Sequence, residues 1–147
     1  MKKAILIIFI IVALIVIIFS VKLKSNQEIL KQSQKHNEQF EKYKNKEILG
    51  TDVITIINKA VDYNEKNKIE KDDSGYYINN EKDSIKIDIT FITGEEQTTT
   101  YKMERIQKVG IESFITNFNL TKFKIANIEY HKQTGKISKI YIEQTEE

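Results

Sequence analysis

The sequence predicts an α+β domain carried behind an N-terminal transmembrane helix. Three observations lead there: an unbroken apolar run over residues 4–21, apolar residues at helical spacing from Val53 to Val61, and a two-residue alternation from Ile85 to Phe91. At 147 residues the chain has the length of one domain. Its 23 Lys and Arg against 21 Asp and Glu give a formal charge of +2, unevenly spread. Residues 1–24 hold four lysines and no acid, and residues 25–147 carry a net −2. A slightly acidic body lacks the clustered basic surface that nucleic acid requires, so no nucleic-acid partner is expected. The absence of Cys excludes a disulfide framework, a thiolate nucleophile and a sulfur-based zinc site. Lys outnumbers Arg 22 to 1, with abundant Ile and Asn, the bias of an AT-rich genome; Arg105 is the sole guanidinium available for bidentate contacts.

Residues 1–3 form a basic flank, and Ala4 to Val21 is eighteen residues with one polar member, Ser20. As a helix this run is about 27 Å long, close to the ~30 Å hydrocarbon core of a bilayer. It is apolar on every face, whereas a helix of a soluble domain keeps a polar side. Lys2, Lys3, Lys22 and Lys24 flank it and can snorkel to headgroups. The lipid bilayer is therefore the expected partner of residues 4–21. A secretory signal has the same layout, and a cleaved, secreted domain is the alternative. The stretch Phe19 to Ser25 offers no pair of small residues two apart, which favours an uncleaved anchor. The basic start leads to the expectation of an extracytoplasmic body, although the count near the two ends, Lys2 and Lys3 against Lys22, Lys24, Lys31 and Lys35, does not support that choice.

Residues 22–49 are polar, without Pro or Gly, and read as a helical stalk. Ile29, Ser33, His36, Phe40 and Tyr43 form a thin apolar stripe along it, which either packs against a partner or the chain's own sheet or stays solvated, with His36 expected at the surface. A domain over 50–147 follows. Gly50 ends the stalk, Thr51 is the expected N-cap, and Asp52 complements the helix dipole. Val53, Ile56, Ile57, Ala60 and Val61 then predict an amphipathic helix over 52–65. Asn64 to Gly75 reads as a loop, Tyr76 to Asn79 as a short strand, and Asn79 to Asp83 as a turn. Ser84 to Thr93 is a half-buried strand, with Ile85, Ile87, Ile89 and Phe91 inward and Lys86, Asp88 and Thr90 outward. Gly94-Glu95-Glu96 turns it into a Thr-rich strand, Gln97 to Lys102. Met103, Ile106, Gly110, Ile111, Phe114, Ile115 and Phe118 share a helical face, so one helix is expected over 103–118, with Gly110 allowing close approach to the sheet. Phe123 to Tyr130 is a strand with a phase change near Asn127 that predicts a bulge. His131 to Lys136 is a hairpin loop with Gly135 left-handed, Ile137 to Glu143 is the last strand, and the acidic tail is expected to fray. The order α-β-β-β-α-β-β implies helices on one face of a mainly antiparallel sheet.

No residue pattern points to catalysis. There is no Gly-x-Ser-x-Gly elbow, and neither His36 nor His131 has a nucleophile or acid placed beside it; both are expected to be solvated. Lys71 to Gly75 lacks the alternating oxygens of a calcium loop, and no glycine-rich phosphate cradle occurs. No catalytic, cofactor or metal residue is expected. Residues 104–139 carry a local +4, and Lys122, Lys124, Lys132, Lys136 and Lys139 form a candidate basic strip on the last hairpin. Such a strip suits an anionic envelope polymer, a lipid surface or an acidic protein. Tyr76, Tyr77, Tyr130 and Tyr141 either pack across the sheet or line a groove for a peptide or sugar.

The chain order of apolar helix, polar extension and antiparallel sheet resembles that of type IV pilins and pseudopilins. The resemblance implies an assembly subunit, trimmed after a small residue near the N-terminus and bearing an acid at the fifth mature position. The corresponding junction here is Lys3-Ala4 or Ala4-Ile5, the fifth position after Ala4 is Phe9, and no acid precedes Glu28. The residues themselves lead to a membrane-anchored, non-catalytic domain for protein or cell-envelope contacts, with the oligomeric state open.

Overall fold

The computed structural model describes residues 2–95 and 97–146, with side chains from Ile7 onward. The basic flank, Glu96 of the hairpin tip and Glu147 of the tail, each given a role above, lie wholly or partly outside that description. Helix α1, Lys2–Glu41, is a single 40-residue helix, about 60 Å long. Its large apolar side chains from Ile7 to Val21 are 52–76 % exposed. The helix is long and apolar enough to cross a membrane, as an anchor or a signal sequence does. The Ser20 hydroxyl is satisfied within it, donating to the Val16 carbonyl at 2.8 Å.

Of the alternatives that the thin stripe left open, the stalk takes packing against the chain's own body, because its last two turns enter the core. Phe40 is 1 % exposed, and Ser33, His36 and Asn37 are buried beside it. Asn37 donates to the Gly135 carbonyl (2.9 Å) and accepts from the Ile137 N–H (3.0 Å), while the Ser33 hydroxyl reaches the Thr134 carbonyl. The helix ends at Glu41, short of the expected end of the stalk. A turn with Asn45 at positive φ leads into strand β1, Glu47–Leu49. Three residues are too few to display an alternation, which is why β1 could not be read from the sequence.

Helix α2, Gly50–Lys66, begins two residues earlier than expected. The cap is not Thr51: Asp52 reaches back to accept the Leu49 N–H at 3.1 Å. Gly50 meets the end of a later helix so closely that a Cβ would lie 1.9 Å from the Phe118 carbonyl oxygen. At the other end of α2 the buried Asn64 side chain clamps Ile85, donating to its carbonyl and accepting from its N–H, both at 2.8 Å. Both polar ends of that amide are thereby satisfied inside the core.

The expected strand at Tyr76–Asn79 does not form. Only Tyr77 pairs, in an isolated bridge with Lys71, and its own N–H donates to the Glu104 carboxylate (3.0 Å). Backbone bonds from Asp72 N–H to the Tyr76 carbonyl and from Ile78 N–H to the Glu70 carbonyl flank that single bridge, and beyond it the Asn80 side chain gathers the N–H groups of Lys82, Asp83 and Ser84. Strands β2 (Lys86–Gly94) and β3 (Gln97–Lys102) form the expected hairpin. The expected helix 103–118 is two helices, α3 (Met103–Val109) and α4 (Ile111–Phe118). Gly110 separates them with φ 108 and ψ 128, and no atom lies within 4 Å of where its Cβ would be. Its role is this backbone conformation, and the close approach expected of it belongs to Gly50 instead. Strands β4 (Lys122–Tyr130) and β5 (Ile137–Gln144) close the fold, with an irregularity between Ile125 and Asn127 where the bulge was expected and Gly135 at φ 67.

Among the described residues four helices and a five-stranded sheet make an α+β architecture. The strand order is β1-β4-β5-β2-β3; β2 and β5 are parallel, and the other pairs are antiparallel. Ile87, Ile89, Phe123, Ile140 and Ile142 pack one sheet face against Val53, Ile56, Ile57, Met103 and Phe114 in one continuous core. The two glycines differ in what they tolerate. Gly50→Ala drives a methyl into backbone and lowers stability by roughly 2–4 kcal/mol. Gly110→Ala meets open space and costs only its backbone strain, about 1–3 kcal/mol. Urea midpoints of the detergent-solubilised chain test this order, and equal midpoints would contradict it.

Candidate functional site

The five lysines of the expected strip do not form a free basic surface. The second face of the sheet has no helix over it among the described residues, and Lys122, Lys124 and Lys139 project from that face. Lys122 pairs with Glu47 (3.2 Å), Lys124 approaches Glu143 (3.9 Å), and Lys139 pairs with Asp88 (2.7 Å). Tyr141 continues the pattern, donating to Glu129 at 2.9 Å beneath the Lys139 ammonium. Lys136 turns inward to Asp83. Burial disfavours its charge, but hydrogen bonds to Asp83 and Tyr63 raise its pKa above the usual lysine value. Burial likewise works against the Asp83 carboxylate, and Lys136 nevertheless holds its pKa below normal. Lys132, exposed in the β4–β5 loop, is the member of the five with no acid in pairing range among the described residues. The face is a lattice of alternating charge.

The four tyrosines share no common groove. Tyr77 is core, Tyr76 lies under the Lys102 ammonium (4.3 Å), Tyr141 lies on the sheet face, and Tyr130 donates to Glu41 of α1 at 2.7 Å. The Asp72 carboxylate is occupied by its own loop, accepting from Ser74 and Tyr76. Among the described residues no cluster of three or more His, Cys, Asp or Glu could hold a metal.

Both histidines, expected in solvent, are buried. His131 bonds the Ser84 carbonyl through Nε2 at 2.8 Å, which fixes the proton on that nitrogen. His36 is 7 % exposed, stacks on Tyr63 at 4.1 Å between centroids, and its Nε2 has no partner among the described residues. Burial, and then the nearby Lys136 charge, lower its pKa from 6.5 to about 4; Asp83 opposes and His131 adds to the shift. His36 is a neutral packing residue of the α1–body joint.

The cleft that the sequence did not reveal lies between α3, α4 and the β2–β3 hairpin. Its volume is about 310 Å³, and Phe91, Tyr101, Ile106, Phe114 and Phe118 supply its apolar wall. Phe91 is the hub, with ring centroids of Phe118 at 5.0 Å and Tyr101 at 5.6 Å. The Arg105 guanidinium lies 4.0 Å over the Tyr101 ring at the rim, with no carboxylate in pairing range among the described residues. Thr93, Thr99, Ser113 and Asn117 are the neutral polar groups around it. The break at Gly110 makes this space, since both helices and Gly110 itself line it. Its one sequence signal was a glycine in the middle of a helical period.

Comparison with protein-family models, with curated proteins and with solved structures found no match to this chain.

The buried His36 gives the fold an acid sensitivity of definite sign. Its folded pKa lies below the unfolded value, so the unfolded chain takes the proton first as pH falls. Stability is therefore lost from about pH 6.5 down to about 4, by roughly 3 kcal/mol at most. Asp83, with its carboxyl held low, acts only at more acidic pH. In urea titrations at stepped pH, His36→Phe removes the loss above pH 4; an unchanged slope would assign it to other groups.

Proposed function

We propose that the chain is a single-pass membrane protein whose α+β body is a non-catalytic module for protein contacts on the extracytoplasmic side. The observation that carries this reading is the continuity of α1. One helix runs from side chains that expose only hydrocarbon to side chains that fill the core of the body. In water, the apolar half would be an exposed patch far beyond what soluble monomers present. In a bilayer it is matched to its solvent, and the body is held as a rigid extension of the anchor, not on a flexible linker. A protein partner suits the body better than an anionic envelope polymer, because four of the five strip lysines have acids within pairing distance.

The same continuity supports a second reading, an assembly subunit resembling type IV pilins, in which α1 would pack against α1 of other copies. The two readings separate on mass. The anchor reading expects the full-length chain in intact-mass spectra of the membrane fraction. The pilin-like reading expects loss of the first few residues. A cleaved signal would instead remove the whole apolar run and leave the docked end of α1 in place.

Lysis without detergent should leave the chain in the membrane pellet, and removal of residues 2–21 should release a folded body. Recovery of the uncut, folded chain in the aqueous fraction would overturn the anchor. Protease added to intact cells should reach the body; protection until the cells are opened would place it inside.

A further inference from the structure

We propose that the outer edge of β3 and the cleft beneath it form one peptide-binding site. An extended segment of a partner protein adds as a sixth strand, seats a large apolar side chain in the cleft, and places a carboxylate on Arg105. The proposal rests on the interaction-module reading above and names its partner chemistry.

Three independent features converge there. The first is the edge itself. β3 is a terminal strand of the sheet and pairs only with β2. Among the described residues no other backbone group bonds to its outer side. Exposed edges are usually blunted by Pro, by a bulge, by inward charges or by being short. β3 runs six residues, Gln-Thr-Thr-Thr-Tyr-Lys, without Pro. β1, the opposite edge, has three residues. The β3 edge is thus the one long enough for strand addition.

The second feature is the apolar recess in reach of that edge. Thr99 and Tyr101 lie opposite Phe91 and Ile89, so they face the helix side of the sheet and form part of the cleft wall. Alternate side chains of an added strand would point to the same side. A cleft of about 310 Å³ is at the small end of ligand pockets and suits one or two large side chains.

The third is charge. Among the described residues Arg105 is the one charged residue lining the cleft. The guanidinium is already oriented by the Tyr101 ring, and no acid of the described chain pairs with it. A planar, pre-positioned guanidinium beside an apolar recess selects a carboxylate next to a hydrophobic anchor. A free aromatic acid would use the recess and Arg105 but leave the β3 backbone unused, so the extended peptide is the better match.

The test uses the detergent-solubilised full chain, immobilised, and synthetic hexapeptides acetylated and amidated at their ends. Phe or Leu is fixed at the third position, Glu or Lys at the fifth, and the rest are Val or Thr. Mass spectrometry of bound peptide should show the Glu set enriched about tenfold over the Lys set, as expected of a charge-assisted pair. Arg105→Gln should abolish that preference, and Ser113→Trp, which fills the cleft from an exposed position, should abolish binding. Far-UV circular dichroism checks that both variants fold. Strand addition also requires that N-methylation at alternate residues blocks binding in one phase and spares it in the other. Equal recovery of the Glu and Lys sets, unaltered binding by either variant, or equal effects of the two methylation phases would overturn the site. So would a dimer in sedimentation that forms through Thr98 to Tyr101 and excludes peptide. The membrane tether is tested by fractionation, and its failure would leave these binding results intact.

Discussion

A single helix joins an exposed apolar length to a buried docking end, and the fold is arranged around that junction. From Ile7 to Val21, α1 exposes hydrocarbon; from Ser33 to Phe40 it supplies side chains to a protein core. The joint is small. Asn37 spans the Gly135 carbonyl and the Ile137 N–H, Ser33 adds Thr134, and Phe40 anchors the contact apolarly. Those hydrogen bonds end on the β4–β5 turn, so the geometry of that turn decides where α1 leaves the body. Gly135 at positive φ is therefore as important to the attachment as any residue of the helix. Buried polar pairs of this kind add modest net stability but cost heavily when half-removed, which gives the joint its specificity.

The elements that could be read from the sequence are those whose reason for existing is local. Ile85 to Phe91 alternate because one face of β2 is buried, and Val53 to Val61 recur because one face of α2 is. The phase slip near Asn127 and the glycine at 135 likewise announced themselves within a few residues. The features that could not be read are made by partners distant in the chain. The polar neighbours of His36 in sequence point to solvent; Tyr63 covers it from elsewhere in the chain, and the charges of Lys136 and His131 act on it there. The lysine strip was apparent as charge, but Glu47, Asp83, Asp88 and Glu143 come from other strands and loops to meet it. Gly110 was assigned to the right neighbourhood and the wrong purpose, since periodicity continues across a helix break when both halves face the same core.

The open sheet face has a physical logic of its own. Pairs such as Lys122–Glu47 and Lys124–Glu143 are solvent-exposed, and each contributes little to stability, about 0–1 kcal/mol. Their effect is on what the face can attract. An unpaired row of lysines would project a field that gathers polyanions, whereas a lattice of alternating sign cancels within a Debye length. A sheet face decorated in this way stays wet and projects little field.

Edge and cleft also share a structural origin. Chain continuity from β3 into α3 at Lys102–Met103 turns the backbone under the sheet, and Gly110 then redirects it into α4. α3, Gly110 and α4 line the space beside Phe91 and Tyr101, so the break leaves an aromatic wall next to an edge strand, with Val109 exposed at its lip. Sheet edges that serve no purpose invite aggregation and are commonly protected. The β1 side of this sheet is short, while the β3 side is long, thin in side-chain bulk and adjacent to a recess. The two edges therefore differ in length and not in closure: β1 offers three residues and β3 six, so β3 is the edge better able to accept a further strand.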